Sequence, residues 1–298
     1  MEKPTQYCKP ITEIKRSDCE DLIKLALKED LPQGDHTSET LFSMDEKGYA
    51  EVVSRETGIF CGRSVAEVLL EISNELFGGR VELVDCLADG EPFKNGDRVV
   101  ALQGTLINLL KIERTLMNFL QYLSSISSNV GRAIAAADKE MVILDTRKTL
   151  PGFRKLAKYA VHVGGGINHR MNLSAMSMIK ENHIAAAGGI KETINKIRAA
   201  HPGLTIEVEI ETIGQLTEAL SGRPDIIMLD NMTRQDIEEC MKVIEAEPLD
   251  RRPFIEVSGG WTPESLTELH GIGKIGVSMG YLTHTTRFIN FSMKLQKK

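Results

Sequence analysis

Cations are concentrated in one stretch of an otherwise acidic chain. From Thr146 to Lys180 the 298-residue sequence contains seven Lys or Arg residues and no Asp or Glu, although its formal net charge is -6. Because like charges repel one another, a cluster of this kind usually faces an anion. Part of the stretch has a simpler explanation: Arg154, Lys155 and Lys158 fall on one side of a helical pattern and are expected to form a solvated helix face.

The other basic residues of this stretch lie beside glycine-rich or strand-like segments, where a long solvated side chain has less reason to be. A guanidinium can form two parallel hydrogen bonds to a carboxylate or phosphate, whereas a lysine ammonium acts as a compact point charge. We therefore predict that five side chains bind an anion. They are Arg147, Lys148, His169, Arg170 and Lys180.

Two carboxylates further along the chain add a second kind of chemistry. Glu209 and Asp230 lie at or near the ends of apolar runs, and their oxygens suit a loosely held Mg²⁺ that arrives with phosphates. Each has a competing explanation. Glu207, Glu209 and Glu211 alternate along one strand face, which a solvent-facing edge would explain equally well, and Asp230 with Asn231 could simply cap the next helix.

Small residues stand at the ends of the last two apolar runs, where they leave backbone N–H groups free at the start of helices. Such positions cradle phosphate. Together with the cations and carboxylates, they favour a site for a large polyanion plus Mg²⁺. The residues are Ser258, Gly259, Gly260, Ser278, Met279 and Gly280.

Common nucleotide-binding motifs do not fit the sequence. The run GGGINH lacks the GK[ST] of a P-loop, and no GxGxxG follows a strand with a suitable acidic partner. A lysine-imine aldolase that uses Lys180 as its amine nucleophile is an alternative. It would leave the other cations and the two carboxylates unexplained.

Six short apolar runs, separated by helical segments, must position these residues. This alternation predicts parallel β/α units that close into a barrel or wind an open sheet. The carboxyl ends of parallel strands form the ligand face, so we expect the polar residues at six strand ends to converge on one site. The runs span 141–145, 175–180, 205–211, 225–230, 254–259 and 274–280.

The chain before these runs is organised differently. Ser17 is the candidate N-cap of an amphipathic helix, and residues 49–62 have the alternation of paired strands. Residues 106–138 read as mostly helical, with an interruption at the serine-rich SSISSN. Arg114 lies among apolar residues of this helix, and composition alone favours a surface or capping role for it.

Composition narrows the class of protein. Apolar residues make up 42% of the chain and charged residues 26%, as in ordinary globular proteins. No membrane-spanning segment and no signal-peptide core is visible, so a cytoplasmic protein is expected. The acidic balance argues against a nucleic-acid partner. The five scattered cysteines, which include Cys8, disfavour a disulfide framework or structural zinc site.

Several motifs together resemble one known family. They are DTRKTLPG (145–152), GGGINHR (164–170), IKENHI (179–184), EVEIE (207–211), IMLDNM (227–232), EVSGG (256–260) and SMGYLTH (278–284). In this order they closely resemble quinolinate phosphoribosyltransferase, the carboxylating nicotinate-nucleotide pyrophosphorylase. The resemblance extends to 26–38 and 113–127, so it covers nearly the whole chain.

The resemblance implies an α/β fold of the type II phosphoribosyltransferases. An N-terminal α/β sandwich domain (1–125) would precede a C-terminal incomplete β/α barrel (126–285), and the segment 286–298 would pack back on the N-terminal domain. It also implies a homodimer or a higher oligomer. The implied reaction transfers phosphoribosyl from PRPP to quinolinate, giving nicotinate mononucleotide, pyrophosphate and CO2 in NAD biosynthesis, with Mg²⁺.

Roles for individual residues also come from the resemblance. The catalytic positions are Lys148, beside pyrophosphate, and Glu209 and Asp230, which engage ribose and Mg²⁺. Ser258–Gly260 and Ser278–Gly280 match the phosphate loops. Arg114 matches an arginine that a neighbouring subunit contributes. The quinolinate-binding positions are Arg147, His169, Arg170 and Lys180, and Thr146 joins the substrate-binding set.

The sequence departs from the family pattern at a few positions. Ala175 stands in place of Asp, Gly260 and Trp261 replace Asn and an aliphatic residue, and Tyr281 replaces a small residue. These changes leave two alternatives open. One is a paralogue that acts on another aromatic acid, and the other is a non-catalytic protein, related to molybdate transport, that binds an oxyanion or aromatic acid.

Overall fold

The structure is a computed structural model that describes residues 9–297, so Cys8 lies outside the described range. The described residues form two compact units. The N-terminal unit contains Ile11–Gly131, Leu150–Gly165 and the segment from Thr286 onward, and the barrel unit contains Arg132–Thr149 and Gly166–Thr285. The domain boundaries inferred from the sequence stay a prediction.

The first half of the described chain alternates helices with short strands. Its elements are α1 (Arg16–Asp30), α2 (His36–Leu41), β1 (Lys47–Ser54), β2 (Gly58–Ile59), α3 (Arg63–Phe77), β3 (Glu82–Cys86), β4 (Pro92–Phe93), β5 (Arg98–Thr105), α4 (Leu106–Ala136), β6 (Met141–Leu144) and α5 (Arg154–Val163).

The second half consists mainly of strand–helix repeats. Its elements are β7 (Ser177–Ile179), α6 (Glu181–Ala187), α7 (Ile190–Ala200), β8 (Ile206–Ile210), α8 (Ile213–Gly222), β9 (Ile226–Asp230), α9 (Arg234–Glu245), a 3-10 turn (Leu249–Arg251), β10 (Phe254–Ser258), a 3-10 turn (Ser265–Leu269), β11 (Ile275–Ser278), α10 (Tyr281–His284) and β12 (Phe291–Lys297).

The barrel unit is built on one parallel sheet in the order β6-β11-β10-β9-β8-β7. All six apolar runs contain one of these strands, so the predicted β/α repeat is confirmed. The first strand, β6, pairs with the last, β11, as in a barrel. Within the described residues β6 and β7 do not pair, so the barrel is incomplete at that point.

The N-terminal unit contains an antiparallel sheet in the order β12-β1-β5-β3. The prediction of paired strands within 49–62 was wrong, because β1 pairs with β5 and β12 while β2 pairs with β4. The cause is a turn at the end of β1. The Ser54 hydroxyl accepts the N–H of Glu56 and donates to its carbonyl, which directs the chain away from the sheet.

The predicted interruption of the long helix was also wrong, since α4 is continuous through the serines. Their hydroxyls bond to extended backbone at the end of β2. Ser128 accepts the N–H of Ile59, and Ser124 accepts the N–H of Cys61. Because these hydroxyls satisfy a neighbouring segment, they do not break the helix that carries them.

The prediction that Arg154, Lys155 and Lys158 form a solvated face of α5 is wrong for at least one of them. Lys158 is fully buried, and the Lys155 ammonium lies 2.5 Å from the carboxylate of Asp18 on α1. Helical periodicity shows which residues share a face, but it does not show which face packs against the protein. Asp18 also accepts the N–H of Lys15, which occupies the cap position of α1 in place of the predicted Ser17.

Among the described residues no helix is both long enough and apolar enough to cross a membrane. The cysteines in this part of the chain, Cys19, Cys61, Cys86 and Cys240, are buried free thiols.

Ser124→Ala is expected to lower the free energy of unfolding by about 1–3 kcal/mol, because it leaves the buried N–H of Cys61 without its acceptor. Chemical denaturation of the full chain measures the change. Ser17→Ala is the matched control in the same unit, since Ser17 is exposed. It should shift the free energy by less than about 0.5 kcal/mol, and an equal loss in both variants would contradict the assignment.

Candidate active site

A cavity of about 380 Å³ lies at the carboxyl ends of the barrel strands. Basic side chains follow β6 and β7, and acidic side chains lie near the ends of β8 and β9. The cavity is lined by Thr146, Arg147, Lys148, His169, Arg170, Met178, Lys180, Glu209, Met228, Asp230, Glu256, Ser258 and Ser278.

Asp145 fixes the segment that carries the buried His169 and Arg170. It follows β6, has no exposed surface, and accepts hydrogen bonds from the backbone N–H of His169 and the side-chain amide of Asn168, both at 2.8 Å. The N–H of Asp145 also bonds to the carbonyl of Ile167. These bonds position His169 and Arg170 beside the strand ends, although the segment itself is not a strand.

His169 lies between two buried carboxylates. Its Nε2 is 3.2 Å from an oxygen of Glu207 and 3.4 Å from an oxygen of Glu256, and neither glutamate has exposed surface. Its Nδ1 accepts the backbone N–H of Arg170 at 2.7 Å. A ring nitrogen that accepts carries no proton, so Nε2 holds the proton that faces the carboxylates.

Burial and charge oppose each other within this cluster. Burial lowers the pKa of His169, but attraction to Glu256 and Glu207 outweighs it and raises that pKa to about 10. A second proton on the ring would nevertheless have to displace the Arg170 N–H from Nδ1. The geometry therefore favours the neutral Nε2–H tautomer. Burial, followed by the like charge of Glu256, raises the pKa of Glu207.

Three alternating glutamates, two on β8 and one directly after it, have very different surroundings. Glu207 is buried, the Glu209 side chain is 12% exposed, and Glu211 is exposed. Because β8 lies between β7 and β9, a solvent-facing edge is the wrong explanation for them. Glu209 instead forms an ion pair with Lys180 across the cavity.

Three carboxylates converge at the acidic side of the cavity. One oxygen each from Glu209, Glu211 and Asp230 lies within 4.8 Å of the others. Mg²⁺ prefers oxygen ligands of this type, so the donor set fits the ion. The sequence predicted two of these three residues as ligands, and Glu211 is the addition.

Asn231 supports Asp230 and does not simply cap a helix. Its side-chain amide donates to Asp230 at 2.7 Å, and its backbone N–H donates to the carbonyl of Ser258 at 2.9 Å. The cap of α9 is Thr233, which accepts the N–H of Asp236. Asn231 has a φ of 54°, a conformation that asparagine tolerates better than most residues.

Lys148 is held by a tight turn after β6. Its N–H donates to the Thr146 hydroxyl at 3.0 Å, and its carbonyl accepts the Thr283 hydroxyl at 2.8 Å. A Cβ at Gly280 would lie 3.0 Å from the Lys148 side chain. The glycine therefore leaves room for the lysine beside the loop that follows β11.

Comparison with known proteins agrees with this geometry. The family models described as "Quinolinate phosphoribosyl transferase, N-terminal domain" and "Quinolinate phosphoribosyl transferase, C-terminal domain" match residues 35–124 and 126–294. The chain belongs to the quinolinate phosphoribosyltransferase family. The resemblance noted in the sequence motifs is thereby confirmed.

Similar proteins span nearly the same length. A probable carboxylating nicotinate-nucleotide pyrophosphorylase of Bacillus subtilis is 39% identical over 267 residues, which cover 89% of each chain. The structure of nicotinate-nucleotide pyrophosphorylase from Francisella tularensis gives a TM-score of 0.89 at 30% identity and covers 97% of this chain and 100% of that chain. NadC from Streptococcus pyogenes also gives 0.89, at 34% identity, with 96% and 99% covered.

Most residues that the sequence selected for this family site meet in the cavity, but five do not line it. Gly259, Gly260, Met279 and Gly280 directly follow β10 and β11 at the same end of the sheet. Arg114 belongs to the N-terminal unit, where it is exposed on α4 and lines another cavity together with apolar residues of that unit.

Sequence reasoning missed Glu256 as part of the cavity and gave no role to the buried Glu207. Both are charged residues with apolar neighbours on each side within a strand, and that was the signal available for them. It also missed Met178 and Met228, which line the cavity between the charged groups. Apolar residues on a buried strand look the same in sequence whether they face a core or a cavity.

Gly259→Ala is expected to destabilise the protein by about 1–3 kcal/mol and to lower activity, because φ is 126° and a Cβ would lie 2.7 Å from Asn231 Oδ1. Gly260→Ala is the matched control. Its φ is 68°, but nothing lies within 4 Å of the added Cβ, so about 1 kcal/mol is expected. Thermal unfolding measures both variants, and a larger loss for Gly260→Ala would contradict the structure.

Proposed function

We propose that the protein transfers phosphoribosyl from PRPP to quinolinate with decarboxylation, giving nicotinate mononucleotide, pyrophosphate and CO2. The observation that carries the proposal is the charge distribution of the cavity, with basic residues after β6 and β7 opposite carboxylates of β8 and β9. The relatives named above are carboxylating pyrophosphorylases or close to them in fold, which supports this reaction.

The basic side of the cavity would bind the acid substrate. Quinolinate carries two neighbouring ring carboxylates, so it needs several cations at short range. Arg147, Arg170 and Lys180 supply them, and His169 forms part of the same wall. Holding both carboxylates fixes the ring nitrogen in place for attack on the ribose.

The acidic side would stabilise the reacting ribose. Departure of pyrophosphate leaves positive charge on the ribose ring, which Glu209 and Asp230 can stabilise. Lys148 faces the pyrophosphate, and the residues Ser258–Gly260 and Ser278–Gly280 bind phosphate oxygens through backbone N–H groups and hydroxyls.

Glu209 and Asp230, assisted by Glu211, would hold Mg²⁺ together with PRPP. When bound, the ion would neutralise charge on the pyrophosphate leaving group. The ion pair with Lys180 keeps the charge of Glu209 balanced beside these carboxylates.

Loss of CO2 needs no acidic side chain. Once the ring nitrogen has formed its bond to ribose it carries a positive charge, which stabilises the carbanion that decarboxylation leaves on the ring. A proton from solvent then forms the new C–H bond. The contribution of the basic residues is to hold the product ring in place.

The alternatives have less support. No comparison favours a paralogue for another acid or a molybdate-related binding protein. An aldolase is disfavoured because Lys180 is ion-paired with Glu209, and an ion-paired ammonium is a poor nucleophile.

We also infer a homodimer or higher oligomer in which Arg114 of one subunit completes the site of another. Arg114 is exposed on α4, beside a cavity lined by apolar and aromatic residues of the N-terminal unit. The cytoplasm is the proposed location, because PRPP and quinolinate are strongly charged and do not cross a bilayer unaided.

Purified protein given quinolinate, PRPP and Mg²⁺ is expected to form nicotinate mononucleotide, pyrophosphate and CO2. Removal of the metal with EDTA should abolish turnover, and added Mg²⁺ should restore it. Chromatography of the products measures the reaction. Turnover of nicotinate together with no turnover of quinolinate would refute the proposed substrate.

Arg170→Lys is expected to raise the KM for quinolinate by about 10-fold or more, since a bidentate charge-assisted contact is lost, and to leave the KM for PRPP within about 2-fold. Steady-state kinetics with each substrate varied in turn measures the difference. Arg154→Lys on α5 is the control and should change neither constant. Equal increases of the KM for quinolinate and the KM for PRPP in Arg170→Lys would contradict the proposal that Arg170 binds the acid.

Arg114→Ala and Lys148→Ala proteins should each be nearly inactive, and mixing them should restore part of the activity. A dimer formed from both variants contains one site with neither substitution if Arg114 crosses between subunits. Activity after subunit exchange measures this. Failure to recover, with exchange verified by mass spectrometry of differently tagged subunits, would show that Arg114 acts within its own subunit.

A further inference from the structure

His169, Glu207 and Glu256 form a buried cluster whose two glutamates have no role in the reaction described above. They come from three parts of the barrel, namely the segment after Gly166, strand β8 and strand β10. The two strands flank β9. A carboxylate without exposed surface is costly unless it is well paired, so the presence of two calls for an explanation.

A metal ion is one candidate explanation, because one ligand atom from each residue lies within 4.8 Å of the others. The hydrogen bonds of the imidazole argue against it. A histidine that binds a metal presents an unprotonated nitrogen and donates with the other ring N–H. In His169 the unprotonated Nδ1 is used by the backbone N–H of Arg170, so the nitrogen that faces the glutamates carries a proton.

Both ring nitrogens of His169 face protein groups. Nδ1 accepts from Arg170, and Nε2 faces Glu207 and Glu256 at 3.2 and 3.4 Å. The ring is therefore held by a hydrogen bond at Nδ1 and by the attraction of the two carboxylates that face Nε2. It holds the backbone at Arg170, whose guanidinium is part of the cavity wall.

We propose that Glu207 and Glu256 are positioning residues that fix His169 as its Nε2–H tautomer, so that His169 orients Arg170 for the acid and does not itself donate to it. The inference rests on the proposed function, since it concerns binding of the dicarboxylic acid. The hydrogen bonds to the acid are then donated by the guanidiniums of Arg147 and Arg170 and by the ammonium of Lys180. It also explains the two buried carboxylates, whose negative charge balances the neighbouring Arg170.

The tautomer is tested by long-range ¹H–¹⁵N NMR of the full-length protein labelled in histidine. The His169 signal is identified by its loss in His169→Gln. The neutral Nε2–H pattern is expected in the native protein near pH 7. A pattern with both nitrogens protonated, or with the proton on Nδ1, would overturn the proposal, and this reading does not require the protein to be active.

Two substitutions at Glu256 separate positioning from a merely structural role. Glu256→Gln keeps an acceptor oxygen, so it should preserve the tautomer and keep the KM for quinolinate within about 3-fold. Glu256→Leu removes a carboxylate that faces Nε2 and should raise that KM by about 10-fold, while the KM for PRPP stays within about 2-fold. Glu207→Leu should have the same effect, and it replaces Glu256→Leu in the test if that variant does not fold.

Calorimetry with quinolinate alone keeps this test separate from the proposed function. Weaker quinolinate binding in the Leu variants, together with native-like binding in Glu256→Gln, supports the inference whether or not turnover is seen. Equal changes for quinolinate and PRPP, or unchanged quinolinate binding in both Leu variants, would overturn it. Absence of turnover with normal binding would refute the proposed reaction and leave the positioning role standing.

Discussion

Opposite charges share one cavity because six parallel strands end at the same edge of the sheet. Asp230 and Ser258 are directly paired in register, as are Leu144 and Ser278. Cations that follow β6 and β7 are thereby brought against carboxylates from β8 and β9, although these residues are far apart in sequence. An acid substrate and a phosphorylated sugar require different charges at short range, and this sheet supplies both.

Buried carboxylates hold part of this arrangement in place. Asp145 holds the backbone of His169, while Glu207 and Glu256 face its ring. Carboxylates next to His169 and Arg170 offset part of the repulsion among the cations that line the cavity, and they hold this part of the wall in place before the substrate arrives. Preorganisation of this kind lowers the cost of binding, because fewer side chains have to be ordered at that moment.

Much of the site could be predicted from interrupted apolar runs. A polar residue at the end of a parallel strand has a defined location, so Lys180, Glu209 and Asp230 were found without a structure. Glu256 was missed because its carboxylate lies inside a strand, where sequence does not distinguish a cavity-facing residue from an odd core residue. The burial of Lys158 was missed because periodicity does not identify the packed face. The continuity of α4 through its serines was missed because the partners of their hydroxyls lie elsewhere in the chain.

The central claim is that the basic side of the cavity binds the dicarboxylic acid and the acidic side binds the sugar. A crystal structure with quinolinate and a non-reactive PRPP analogue tests it most directly. The account predicts quinolinate carboxylates within hydrogen-bond distance of Arg147, Arg170 and Lys180, and the ribose beside Glu209 and Asp230. Quinolinate bound outside this cavity, or with its carboxylates against Glu209 and Asp230, would contradict it.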